Sequence, residues 1–155
     1  MEGHGDLAER PLVARGGSAS RSALILRLLR MRSIEDLTYL IIQAAIEVHS
    51  QLGPGLLESI YERSLVLELE GLGLLVRRQV RVPVAYKGQP LGQDMVIDLI
   101  IDNRVIVEVK ATTENHPIHD AQLLTYLKLT GLRHGLVINF GLKRLVPGVK
   151  SLING

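Results

Sequence analysis

The sequence predicts one α/β domain: a mixed central β-sheet flanked by helices. Three observations predict it. Two successive stretches carry apolar residues at helical spacing, and several short stretches are rich in Val and Ile with alternating or continuous apolar character. A further helical stretch then stands before the last clear strand. The order is α-α-β-β-β-α-β, and no internal repeat is apparent. At 155 residues the chain fits one domain, long enough to bury a real core.

Residues 1–32 read as a disordered basic extension, and residues 33–155 as the domain. The stretch 1–22 is rich in Gly, Ser, Arg and Ala without apolar period, while Ser22 to Arg32 can form a short basic helix. Met31 directly precedes the regular sequence, so a native start at Met31 is an expectation that intact mass would check. Ser33, with Asp36 three residues on, reads as an N-cap followed by an acidic first turn. Leu37, Ile41, Ala44, Ala45, Val48 and Leu52 then recur at helical spacing until Gly53-Pro54-Gly55 stops the helix. A second helix is expected from about Leu56 to Leu72, with Leu57, Ile60, Tyr61, Ser64, Leu65 and Leu69 inward.

Strands follow. From Leu74 to Val84, Val76, Val80, Val82 and Val84 share a parity, and Lys87-Gly88 is a turn signal. Met95 to Ile101 is nearly continuously apolar, as in a strand covered on both faces. Asp102-Asn103 reads as a two-residue hairpin turn into a strand from Arg104 to Ala111. A helix from about Ile118 to Thr130 ends at Gly131, Gly135 to Phe140 is a strand, and Leu142 to Val146 is a candidate for another.

Composition narrows the function classes. Phe140 is the only Phe, there are four Tyr and no Trp, which argues against stacking several bases on aromatic rings. With no Cys, disulfides and Cys-based metal sites are excluded, and a cytoplasmic location is expected. No run is long and apolar enough for a membrane span, and no signal peptide is legible. Six arginines against three acidic residues make residues 1–32 basic, so the net charge of +2 leaves the remainder slightly negative. Basic surface on the domain must be local: Arg77, Arg78 and Arg81 form one candidate patch, Lys143, Arg144 and Lys150 another.

Asp98 interrupts the most apolar strand, where an unpaired carboxylate costs several kcal/mol; it must be paired, protonated or bound to a cation. In the next strand Val105, Val107 and Val109 point one way, and Arg104, Ile106, Glu108 and Lys110 the other. A two-residue turn pairs Ile101 with Arg104 and sets Asp98 opposite Val107, so a bulge must bring Asp98 and Glu108 together. Two carboxylates suit Mg²⁺ or Mn²⁺, which activate water for phosphoryl chemistry, and a lysine beside them stabilises the developing charge. Alone, Glu-x-Lys is also an ordinary solvated strand face, Glu58 an acid at a helix start, and Gln122 with Tyr126 a polar helix face. His116 and His119 read as capping or surface residues in preference to a zinc pair.

Several segments taken together resemble a family. They are Ala44 to His49, Leu52 to Glu62, the Asp98 strand, Val105 to Ala111, Pro117 to Leu127 and Gly135 to Gly141. Over Leu37 to about Leu145 the chain resembles the GxxExxY proteins of the PD-(D/E)XK, restriction-endonuclease-like, nuclease superfamily. Gln122-x-x-x-Tyr126 is also similar to the motif of its RecB-like branch. The resemblance implies a restriction-endonuclease-like fold, with Asp98, Glu108 and the Val109 carbonyl as ligands of Mg²⁺ or Mn²⁺ and Lys110 as the catalytic lysine. It further implies that Glu58 is an added ligand or orients a metal-bound water, and that Gln122 and Tyr126 support the site or touch the phosphate backbone. The expected function is a divalent-metal-dependent nuclease acting on DNA or RNA. The rival is a catalytically inactive nucleic-acid-binding or protein-interaction module on the same fold. A homodimer is left open by apolar surface that the first long helix can leave exposed.

Overall fold

The computed structural model describes residues 20–30 and 32–155. The stretch expected to be disordered falls largely outside them, and Met31 wholly so. Helix α1 (Arg21–Arg30) corresponds to the short basic helix, so the extension is not without regular structure throughout.

Helix α2 (Ile34–Leu52) starts where its cap predicts: the Ser33 hydroxyl accepts from the Asp36 N–H at 3.1 Å. It buries Leu37, Ile41, Ala44, Ala45 and Val48, while Leu52 is left exposed at the helix end. Helix α3 (Glu58–Gly71) is rolled away from the expected face: Tyr61, Glu62, Leu65, Val66 and Leu69 are buried, whereas Leu57 and Ile60 are exposed. The cause is Tyr61. Its ring stacks on Phe140 with centroids 4.8 Å apart, and its hydroxyl donates to the Gly53 carbonyl while accepting from the Leu56 N–H at 3.1 Å. Those bonds pin the α2–α3 turn and fix the rotation of α3.

The sheet has five strands in the order β1-β2-β3-β4-β5: β1 (Val76–Tyr86), β2 (Gln89–Ile101), β3 (Val105–Lys110), β4 (His134–Asn139) and β5 (Val149–Ile153). All neighbours are antiparallel except β3 and β4, which run parallel because α4 (Pro117–Thr130) crosses between them. Helices α2 and α3 cover one face through a core that includes Leu99, Ile101, Val105, Val107 and Val109. Helix α4 covers the other through Ile97, Ile100, Ile106, Leu123, Leu127 and Val137. The strand considered over Leu142 to Val146 does not form; a 3-10 turn occupies Val146–Gly148, and β5 follows it. Pro147 lacks the N–H a ladder needs, and a Cβ on Gly148 would stand 2.5 Å from the Asn139 carbonyl oxygen.

Two registers differ from the simplest reading. Asp102 and Asn103 both take left-handed backbone (φ 51° and 54°), and Arg104 donates to Ile101 at 2.9 Å. Arg104 then belongs to the loop, and Ile101 pairs with Val105 instead of Arg104. The ladder of Leu99 with Val107 therefore leads to Asp98 opposite Glu108, and no bulge is needed. In β1, the pairs Arg78 with Leu99 and Val80 with Ile97 leave Gln79 facing Asp98. Gln79 has φ 48°, and the strands exchange faces there: Val76 and Leu99 pack under α2 and α3, whereas Val80, Val82 and Ile97 pack under α4. The common parity of the valines is thus divided between two cores.

Candidate metal and catalytic site

The β2–β3 ladder stops at Leu99 and Val107, and side chains take over where the strands separate. Glu108 Oε1 accepts from the Asp98 N–H at 3.1 Å, and Asp98 Oδ2 accepts from the Val109 N–H at 2.9 Å. Each carboxylate is thereby tied to the opposite strand through one oxygen and keeps its other oxygen for a further partner. Glu108 is 2% exposed and Asp98 half-buried. Lys110 Nζ lies 4.0 Å from Glu108 Oε2 and donates to Gln122 Oε1 at 3.3 Å, so α4 holds the ammonium beside the pair.

Burial, first, and the negative charge of Asp98, second, push the Glu108 carboxyl up to about 8, although the Asp98 N–H and Lys110 pull it down. Asp98 is raised as well, chiefly by burial and against the pull of the Val109 N–H. Two carboxylates that resist simultaneous ionisation fit a divalent cation, whose charge replaces the shared proton. Hard oxygen donors of this kind suit Mg²⁺ or Mn²⁺. The Val109 carbonyl belongs to the same strand segment. Among the described residues no third Asp, Glu or His closes on the pair to make a three-ligand cage.

Glu58 stands exposed at the first turn of α3. Burial raises its carboxyl, Lys110 lowers it, and Asp98 and Glu62 raise it further, which places it within the electrostatic reach of the pair. Tyr126 is buried on α4, and its phenol is pushed up to about 12 by burial and then by the charges of Glu108 and Asp98. It stays protonated at every ordinary pH. The structure thus gathers Asp98, Glu108, Lys110 and Gln122, with Tyr126 behind them and Glu58 at the margin.

Sequence reasoning missed Glu62 and Gln79, and it placed Arg78 only in a basic patch. Glu62 is buried on α3, and Gln79 Nε2 donates to both its oxygens at 3.0 Å while Arg78 Nε lies 3.3 Å from Oε1. Its charge is felt at Asp98. The i, i+4 spacing from Glu58 could have flagged it. Nothing in the sequence marks the left-handed Gln79. Arg78 is spent on Glu62 and is not free for the basic patch, and Lys150 likewise pairs with Asp120.

A family model described as the PD-(D/E)XK nuclease superfamily matches residues 35–152. The chain belongs to that superfamily. Its mixed five-stranded sheet flanked by helices is consistent with the restriction-endonuclease-like fold. No curated protein and no solved structure matches the chain. Membership in this nuclease superfamily points to nuclease-type function with a nucleic-acid substrate. Among the described residues no helix is long and apolar enough to cross a membrane.

Proposed function

We propose that this PD-(D/E)XK domain is a divalent-metal-dependent nuclease that hydrolyses phosphodiester bonds of DNA, and that it falls in the GxxExxY group. The observation that carries the reading is the buried Asp98–Glu108 pair, each carboxylate fixed by the other strand's N–H, beside a lysine held by Gln122. Asp98, Glu108 and the Val109 carbonyl would hold Mg²⁺ or Mn²⁺. Bound there, the ion supplies a more acidic water and neutralises charge on a phosphoryl oxygen.

The chain's own residues do the rest. Lys110 places its ammonium against the charge that develops on the phosphoryl oxygens, at low desolvation cost because it is already partly buried. Gln122 keeps that ammonium oriented through its side-chain oxygen. Tyr126, a permanent phenol, offers an O–H to the phosphate backbone or to Gln122. Glu58, with its carboxyl raised, orients the attacking water from the α3 side. The setting is cytoplasmic, and a homodimer is compatible with it.

The test is cleavage of plasmid, linear and single-stranded DNA with Mg²⁺ or Mn²⁺. Wild type cuts and Asp98→Ala does not; equal behaviour of the two ends the proposal. A second reading, a non-catalytic nucleic-acid-binding or protein-interaction module, is favoured by one observation: the absence of a third ligand beside the pair among the described residues. Calorimetric Mn²⁺ titration separates them, since carboxylate-dependent binding is expected of the enzyme alone.

A further inference from the structure

We propose that His119 is a substrate-contacting residue of this site, its imidazole N–H donating to the phosphate adjacent to the scissile one on the nucleic-acid strand. The proposal rests on the nuclease reading above. His119, Gln122 and Tyr126 stand at i, i+3 and i+7 on α4, one face of the helix. His119 and Gln122 line a groove of about 420 Å³ together with Lys110, with Met95 and Ile118 as apolar walls, while Tyr126 on the same face is buried. A second recess of about 260 Å³, lined in part by Asn115, His116 and Lys150, lies beyond it. His119 is the side chain that lines both cavities. A strand with one phosphate at Lys110 therefore runs past the imidazole whichever way it enters the recess.

The chemistry of the walls selects a phosphate contact over a base contact. Neither cavity is lined by a Phe, Tyr or Trp; the aromatic rings on their walls are the small imidazoles of His116 and His119, so phosphate contacts do most of the positioning. His119 is also available for such work. His49 is tied to the Leu142 carbonyl at 2.9 Å, whereas His119 has no such bond among the described residues and packs edge-on to His116 at 5.6 Å. The two histidines do not form a metal cage with a third ligand among those residues. The groups around the ring are Lys110 from β3, His116 at the N-cap of α4, Asp120 from α4, and Lys150 from β5, which pairs with Asp120. Burial, then Lys110, then His116 lower its basicity, and Asp120 opposes them. The free ring is neutral near pH 7, and an incoming phosphate favours its protonation.

Two measurements test this on the full chain: anisotropy of a short fluorescein-labelled single-stranded DNA with Ca²⁺ in place of Mg²⁺, and steady-state cleavage with Mn²⁺. His119→Ala is expected to weaken binding and raise KM by about tenfold, with kcat within about twofold. His119→Gln, which keeps an N–H donor, recovers most of the loss. If wild type binds and cuts but His119→Ala matches it, or if kcat falls with KM unchanged, the proposal is overturned while the nuclease reading stands. If wild type binds DNA without cutting it, the nuclease reading fails by itself, and the anisotropy comparison still decides the His119 contact. If wild type binds no DNA, both fall together.

Discussion

The β2–β3 pair is an apolar ladder at one end and a polar cleft at the other. At the hairpin end Ile101 with Val105, Ile100 with Ile106 and Leu99 with Val107 are all buried, and backbone bonds close the strands. One step further, Asp98 and Glu108 take the next register position, and their carboxylates cap the N–H groups that a ladder would have used. The buried carboxylates sit where the strands part, because only there can each satisfy a backbone donor and still present an oxygen outward. The hairpin end is closed by backbone bonds, and the open end is where the proposed chemistry would lie.

The largest effect expected from breaking that division is on catalysis. Asp98→Asn or Lys110→Met should lower Mn²⁺-dependent cleavage by roughly a thousandfold, read from initial rates on linear DNA, with the fold retained by circular dichroism. Val107→Ala, at the closed end, should do the reverse. It should cost about 2 kcal/mol in denaturant unfolding and leave the specific activity of the folded protein within a few-fold.

A pH series sharpens the comparison further. Glu108 keeps its proton in the folded chain up to about 8, against 4.5 as its ordinary value, and Asp98 is raised in the same direction. The contribution of Glu108 to the metal-free protein is therefore full below about pH 4.5 and is lost as pH rises toward 8, because the unfolded chain releases the proton first, and Asp98 contributes with the same sign. The melting temperature of metal-free wild type should fall across that window. The increment on adding Mn²⁺ should grow with pH, and Glu108→Gln should flatten both trends. A wild-type increment that does not change with pH would contradict proton displacement by the metal. The smallest effect is at Gln79. Because its φ is 48°, Gln79→Gly should be about 1 kcal/mol more stable than Gln79→Ala, while both release Glu62.

Much of this was legible beforehand. The N-cap at Ser33, the stop at Gly53, the turn at Lys87-Gly88 and the alternation of Val105, Val107 and Val109 depend on neighbouring residues alone, and helix α2 and strand β3 formed within a few residues of their expected places, whereas β2 starts six residues before Met95. The singular Asp98 was legible for the same kind of reason, since a carboxylate in an apolar run requires a partner. Gln79, and the contact it makes with Glu62, were not legible. Their meeting joins α3 to β1 across sixteen to seventeen residues of sequence and depends on a left-handed residue that no local preference marks.

Local periodicity by itself determined the order of helices and strands from α2 to β4, the covered faces of α2 and β3, and which acidic and basic side chains stand near the strand ends. Only the tertiary structure decided three things: the extra loop residue that brings Asp98 opposite Glu108, the exchange of faces at Gln79, and the roll of α3 under Tyr61 and Phe140. The physical reason is common to all three. A register shift of one residue or a turn of one helix face costs little in local conformation. It is chosen by which long-range arrangement buries the most apolar surface while giving partners to buried groups such as Asp98, Glu108 and Glu62.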